Sequence, residues 1–327
     1  MLRDLEDEIV RLTGAEKVES PTRALPTFIS RRVAHGTRYS RARSWIPREA
    51  HRLSADVLWV PLMGPEDFEL DLFSQWDAQV GVKILYFFDT FEHHLPAIRR
   101  VLQAARWDVV STAFDSARPL LEEATQRRWE VVRHGVTLER FRPAPIHERL
   151  IDFSAYGRRL EAVHEAVKRH SRKAGRYYDY TTAAQIQPGL DPREHYGHYA
   201  WHLSHSAFNF CWPLELTNPE RVRSFSPVTC RWYEAAASGS VLVGRAPSDP
   251  AFHELFGSDA VIDVDVSGRG VEELCDELLR KKEDHLGRAL ARREAHAETW
   301  SWQGRVRQMM QAAGLPSEPV SGLERFA

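Results

Sequence analysis

Two short segments hold the residue types and spacing that could do chemistry. In the first, Thr229 to Gly244, Glu234 is a lone acid among small and apolar residues. Thr229 is a good residue to start a helix, Ala235 to Ala237 are strong helix formers, and Gly239 suits the position just past a helix end. The alanines let such a helix lie close to the following apolar run Val241-Leu-Val243. A carboxylate in so tight a unit needs a partner, and we read Glu234 as facing outward. The plain alternative is an i,i+3 pair with Arg231, contributing only about 0.2–0.5 kcal/mol. The second segment is Phe153 to Leu160, in which Gly157, Arg158 and Arg159 follow an expected strand and open a helix. Arginines in a first helical turn oppose the helix dipole, at a cost of roughly 0.3–1 kcal/mol each. A dianion there reverses the sign, because free amides, dipole and guanidinium forks all suit a phosphate. Gly157 removes the side chain where a diphosphate would come nearest the backbone. The plain alternative is a strand-to-helix turn with two exposed arginines.

The elements that must position these residues follow from apolar patterning. Short, mostly apolar runs occur at 57–60, 82–88, 107–110, 129–132, 150–153, 207–210, 240–243 and 260–264. Continuous rather than alternating apolarity suits strands covered on both faces, as in parallel sheets. Helical patterns at 95–105, 118–127 and 271–282 separate them, which predicts a doubly wound α/β architecture. Leu160, Val163, His164 and Val167 form the buried stripe expected of a helix after Gly157. A chain of 327 residues exceeds one ordinary core, so two domains are expected. The segment 134–145, with Gly135, Pro143 and Pro145, is the expected boundary.

Bulk properties narrow the partners. With 44 basic and 46 acidic side chains the net charge is −2, which argues against nucleic acid or a membrane surface as main partner. Three scattered cysteines have no metal-ligand spacing and suit a reducing, cytoplasmic setting. The acidic N-terminus does not read as a signal peptide, and no membrane span is expected from the apolar stretches.

The pattern around Glu234 and the Gly157-Arg158-Arg159 element together resemble the retaining, group 1 glycosyltransferases of GT-B fold, and in particular their spore-maturation-protein-like branch. The linker at 134–145, the 252–264 segment and the 298–306 segment are similar to parts of the same family, so the resemblance covers roughly 82–310. It implies two Rossmann-type domains facing a cleft, with the N-terminal one reduced: 1–145 on the acceptor side, 146–300 binding a nucleotide-sugar, and 301–327 a terminal helix crossing back plus a tail. It implies that Glu234 holds the ribose hydroxyls, that Gly157, Arg158 and Arg159 hold the diphosphate, and that Ser226, Thr229 and Arg231 complete the donor site. Ser226 stands where many members carry a first acid, and Thr137 where aspartate is usual. Asp89 and His93, just past the expected strand at 82–88, are candidates for contact with the acceptor hydroxyl or the reacting sugar. Their plain alternative is a cap and an exposed imidazole.

The expectation is therefore a metal-independent transferase moving a sugar, with retention, from a nucleoside diphosphate to a small-molecule, glycan or protein hydroxyl, with no cofactor beyond the donor. Two rivals remain: a nucleotide-sugar isomerase on the same fold, and a non-catalytic nucleotide-sugar-binding subunit. His195, His198, His202 and His205 fall on one helical face and could in principle chelate a metal. No acid-bearing protease motif accompanies them, and we read the stripe as a polar face packed by Tyr196 and Tyr199. Residues 1–14 read as a helix, and 23–48 as an arginine- and serine-rich stretch whose Ser40 to Trp45 could meet an acceptor.

Overall fold

The computed structural model describes residues 2–17, 55–68, 79–181, 191–223 and 225–316. The arginine- and serine-rich stretch, Ser40 to Trp45 included, lies outside them. Contacts divide the chain into one unit of 1–133 with 305–327 and a second of 134–304.

The first unit is built on four parallel strands in the order β1-β2-β3-β4. These are β1 (Ala55–Leu62), β2 (Val80–Phe87), β3 (Val109–Thr112) and β4 (Glu130–Val131). Helix α1 (Leu2–Thr13) packs on β1, while α2 (Leu95–Gln103) and α3 (Arg118–Thr125) connect the later strands. Phe87 and Trp129 pack with tilted rings, centroids 5.7 Å apart, in its core.

The second unit carries five parallel strands: β5 (Ile151–Ala155), β6 (Tyr178–Tyr180), β7 (Ser206–Cys211), β8 (Val241–Gly244) and β9 (Val261–Asp263). Their order, β6-β5-β7-β8-β9, reverses between β5 and β7. Open parallel sheets bind ligands at the carboxyl ends of the strands flanking such a reversal. The expected α/β class with two parallel sheets is what the chain adopts.

Helices cover both faces of this sheet. On one side α4 (Glu161–Ala174) packs against α9 (Val271–Arg280), and Phe153, Val163, Val167, Phe208, Val243, Cys275 and Leu278 form their shared core. On the other lie α5 (Pro192–Ser204), α7 (Cys230–Ala237) and α8 (Ala251–Phe256), around Trp232, Leu242, Phe252, Phe256 and Trp300, while α10 (Lys282–Trp300) gives Leu286 and Ala289 to the first core and Trp300 to the second. Leu242 faces one core and Val243 the other, as strand alternation requires. The four-residue α6 (Leu214–Thr217) follows β7.

Three sequence expectations change. The strand β6 and most of the 19-residue α10 were not expected, and the stretch 298–306 is not one helix. It breaks at Ser301, which bridges Val136, before α11 (Trp302–Ala312) begins. Within the first unit, Gln308 of α11 donates from Nε2 to the Val131 carbonyl at 2.8 Å. No helix among the described residues is long and apolar enough to cross a membrane.

Candidate functional site

The segments singled out in the second unit meet at the carboxyl edge of its sheet. Strand β5 delivers Tyr156, Gly157, Arg158 and Arg159. Gly157 has φ +85°, a conformation that L side chains rarely adopt, so the chain turns here because the residue is glycine. A β-carbon at Gly157 would lie 3.6 Å from Nε of Arg231, which places the first turn of α7 against the turn after β5. The Gly157 amide donates to Oγ1 of Thr181 at 2.9 Å.

The arginines sit differently from expectation. Helix α4 starts at Glu161, with Leu160 at its N-cap and no side-chain cap, so Arg158 and Arg159 precede the helix rather than oppose its dipole. Leu160 keeps an extended ψ of 118°, which holds the turn open for two more residues. Arg158 is exposed, whereas Arg159 is partly buried, pairs with Glu161 at 3.2 Å and lies over the Tyr180 ring at 5.7 Å.

Glu234 is the largest correction. It does not face outward: it is fully buried, with 0% exposure. Tyr196 donates its hydroxyl to Oε1 at 2.7 Å, and Tyr199 donates to Oε2 at 2.9 Å. Nη1 of Arg231 reaches Oε2 at 3.4 Å, and its guanidinium lies 4.6 Å from the Tyr199 ring centroid. The cause is the close seating of α7, whose Ala235 and Ala237 are fully buried. That seating turns Glu234 toward α5, where phenols replace water as its donors. Burial pushes the Tyr199 phenol well up, so it remains a donor. The i,i+3 contact with Arg231 is present, but two tyrosines the sequence reading used only for packing are the main partners.

Tyr156 and His202 join this cluster through Asp179 of β6. The Tyr156 hydroxyl donates to Oδ2 of Asp179 at 2.8 Å, and Nδ1 of His202 lies 2.5 Å from the same oxygen. Burial, then the charge of Asp179, pushes the Tyr156 phenol well above its usual range.

The loop before α7 is also more buried than a connector. Ser226 and Thr229 are 7% and 9% exposed. Thr229 occupies the N-cap but makes no side-chain cap bond, contrary to expectation. Oγ of Ser226 accepts from the Ser248 amide at 3.2 Å, and Oε1 of Glu215 accepts from that amide at 3.1 Å. Glu215 was not singled out in the sequence, where no motif surrounds it.

Asp89 and His93 belong to the first unit. Asp89 is half-buried at the end of β2, its carbonyl 3.2 Å from Nδ1 of His94, and Phe91 rather than Asp89 precedes the next helical turn. His93 is exposed and stacks on Phe91 at 5.8 Å. In the histidine stripe, His195 and His198 are exposed, His202 turns to Asp179 and Nδ1 of His205 meets the Trp201 carbonyl at 2.8 Å. Among the described residues these histidines do not converge. Glu161, His164 and Glu165 do, but Arg159 and Lys168 already pair with the two carboxylates, at 3.2 Å and 2.9 Å.

No protein-family model and no curated protein matches the chain. Among solved structures it is similar to a sucrose-phosphate synthase from Thermosynechococcus elongatus, at 13% identity over 78% of this chain and 72% of that one, with a TM-score of 0.48. It is similar to Anabaena HepE in complex with UDP and glucose, at 8% identity over 71% of each chain and a TM-score of 0.47. A third is the pneumococcal O-GlcNAc transferase GtfA in complex with UDP and GlcNAc, at 11% identity over 71% of this chain and 52% of that one, with a TM-score of 0.43. With identities and TM-scores this low, any functional case rests on this chain's own residues.

Proposed function

We propose that the chain is a glycosyltransferase that moves a sugar from a nucleoside diphosphate to a hydroxyl-bearing acceptor, with retention and without a metal. The observation that carries this reading is the convergence of Gly157, Arg231 and Glu234 at the strand-order reversal of the second sheet. A glycine turn flanked by Arg158, Arg159 and Arg231 suits a diphosphate, and a carboxylate within one side chain of it suits a pentose diol. Ser226 and Thr229 would offer hydroxyls to the sugar or its phosphate.

In this reading the protein acts mainly by positioning and by electrostatics. The arginines stabilise the negative charge that grows on the diphosphate as the glycosidic bond breaks, which fixed cations do without reorganising. The leaving phosphate takes the proton of the attacking hydroxyl on the same sugar face, so no enzymic base is required. Asp89 and His93 are kept as candidates for acceptor contact. The protein would act in the cytoplasm on soluble donors.

The test is donor consumption by the full chain with UDP- and GDP-sugars, in the presence of EDTA, followed by NMR assignment of the product's anomeric configuration. Arg158→Ala is the informative variant, because Arg158 is exposed and its loss spares the core. Lost turnover with unchanged melting supports the reading; unchanged turnover would remove Arg158 from it, and an inverted product would remove retention.

A further inference from the structure

The proposed role of Glu234 meets a physical obstacle that is itself informative. Both carboxylate oxygens are already bonded, one to each phenol, and the group is fully buried. Two hydroxyl donors, one per carboxylate oxygen at 2.7 and 2.9 Å, is the same bonding pattern that a vicinal diol presents. Building on the nucleotide-sugar reading, we propose that Tyr196 and Tyr199 hold the place of a pentose 2′,3′-diol on Glu234. Nucleotide entry then exchanges two phenols for two sugar hydroxyls, and the site takes ribonucleotides in preference to 2′-deoxyribonucleotides.

The helix that carries the phenols is built unevenly. Its C-terminal half is anchored: Ala200 and Leu203 are 1% and 0% exposed, and His202 meets Asp179. Its N-terminal half exposes Arg193, Glu194 and His195, while Tyr196 reaches the core side. Gly197 separates the two halves and leaves Tyr196 in the weaker one and Tyr199 in the anchored one, so Tyr196 would leave with its segment and Tyr199 by turning its side chain. A β-carbon at Gly197 would meet nothing within 4 Å, so packing does not demand glycine, yet glycine weakens a helix interior. The segment bearing Tyr196 is tied by the Asp191 cap on the Arg193 amide, by the Tyr196 ring against Phe141, Tyr199 and the Arg140 guanidinium, and by the bond to Glu234.

The selectivity follows from what each ligand leaves behind. A ribonucleotide replaces two donors with two, so the buried carboxylate stays satisfied. A 2′-deoxyribonucleotide supplies one and strands an oxygen where water is excluded. Sites built to bond a hydroxyl reject the analogue that lacks it by large factors. The phenols act only on the free protein, so removing their hydroxyls raises the apparent affinity of both ligands by one common factor.

The test is calorimetric titration of the full chain with UDP, GDP and their 2′-deoxy counterparts. Wild type should bind the preferred ribonucleotide at least about tenfold more tightly than its deoxy form. Tyr196→Phe with Tyr199→Phe should tighten both by roughly tenfold and leave their ratio unchanged. Gly197→Ala should weaken both by a few-fold, because it stiffens the helix that must yield. The single tyrosine variants and Gly197→Ala keep the test available should the double variant unfold. A wild-type ratio near one, or tyrosine variants that bind no more tightly, overturns this proposal while nucleotide binding stands. Binding by none of the four nucleotides overturns both it and the nucleotide-sugar reading.

Discussion

Glu234→Gln is the change whose cost can be worked most fully from the geometry. The carboxylate accepts two phenol hydroxyls at 2.7 and 2.9 Å and faces Arg231 at 3.4 Å. Hydrogen bonds to a charged acceptor contribute about 1.5–3 kcal/mol each, and a neutral amide keeps one carbonyl acceptor while turning its NH2 toward the other donors. The Arg231 contact adds little, about 0–1 kcal/mol, because the Arg231 side chain is 41% exposed. The sum is about 2–4 kcal/mol, which lowers the melting temperature of a unit this size by roughly 5–15 °C. Scanning calorimetry measures the shift, and a double-mutant cycle with Tyr196→Phe should return a coupling of about 1–3 kcal/mol. A Gln variant that melts like wild type, or a coupling near zero, would refute the buried pairing. Glu234→Ala would remove the proposed ligand contact and damage the core together, so a loss of activity in it alone would assign no role.

Three further outcomes follow from particular residues. Arg149 is 2% exposed, donates to the carbonyls of Ala144, Ser206 and Ser238, and is pushed down to about 10 by burial. Arg149→Met should therefore destabilise by about 3–5 kcal/mol in urea melts, since three buried carbonyls lose the guanidinium, that of Ser206 keeping the Ser240 hydroxyl at 3.1 Å. Gly157→Ala meets no atom closer than 3.6 Å, so its stability loss should be only the backbone strain of about 1–2 kcal/mol, while nucleoside diphosphate affinity falls tenfold or more by titration. Burial, aided by Arg159, holds the buried His164 imidazole below its ordinary value. The unfolded chain therefore takes up that proton first, so stability is complete above about pH 6.5 and declines as pH falls through the lower folded value. His164→Gln should flatten that decline in melts run from pH 7 to pH 5.

The fold was legible where apolar runs were long. Segments such as 82–88 and 240–243 could hardly be anything but covered strands, and their spacing by amphipathic helices fixed the class. Strand β6 was invisible because Tyr178, Asp179 and Tyr180 are all half-buried at a sheet edge and show no apolar run. Helix α10 was obscured because only Leu286, Ala289 and Trp300 of its 19 residues are buried. At the candidate site, the glycine turn at Gly157 and the i,i+3 contact of Arg231 with Glu234 were legible, but the two phenol partners of Glu234 were not. Tyr196 and Tyr199 lie 38 and 35 residues upstream, and only the packing of α5 on α7 brings their hydroxyls to the carboxylate. Arg158 and Arg159 were misplaced by a few residues for a local reason: Leu160 stays extended, which a propensity argument cannot see.

The most direct trial of the account is a crystal structure of the full chain grown with UDP or GDP, whichever calorimetry shows to bind. The expected result is a diphosphate against the turn at Gly157 with Arg158, Arg159 or Arg231 on its oxygens, and both ribose hydroxyls on Glu234. A nucleotide seated elsewhere, or one bound at Gly157 while Tyr196 and Tyr199 still hold Glu234, would contradict it.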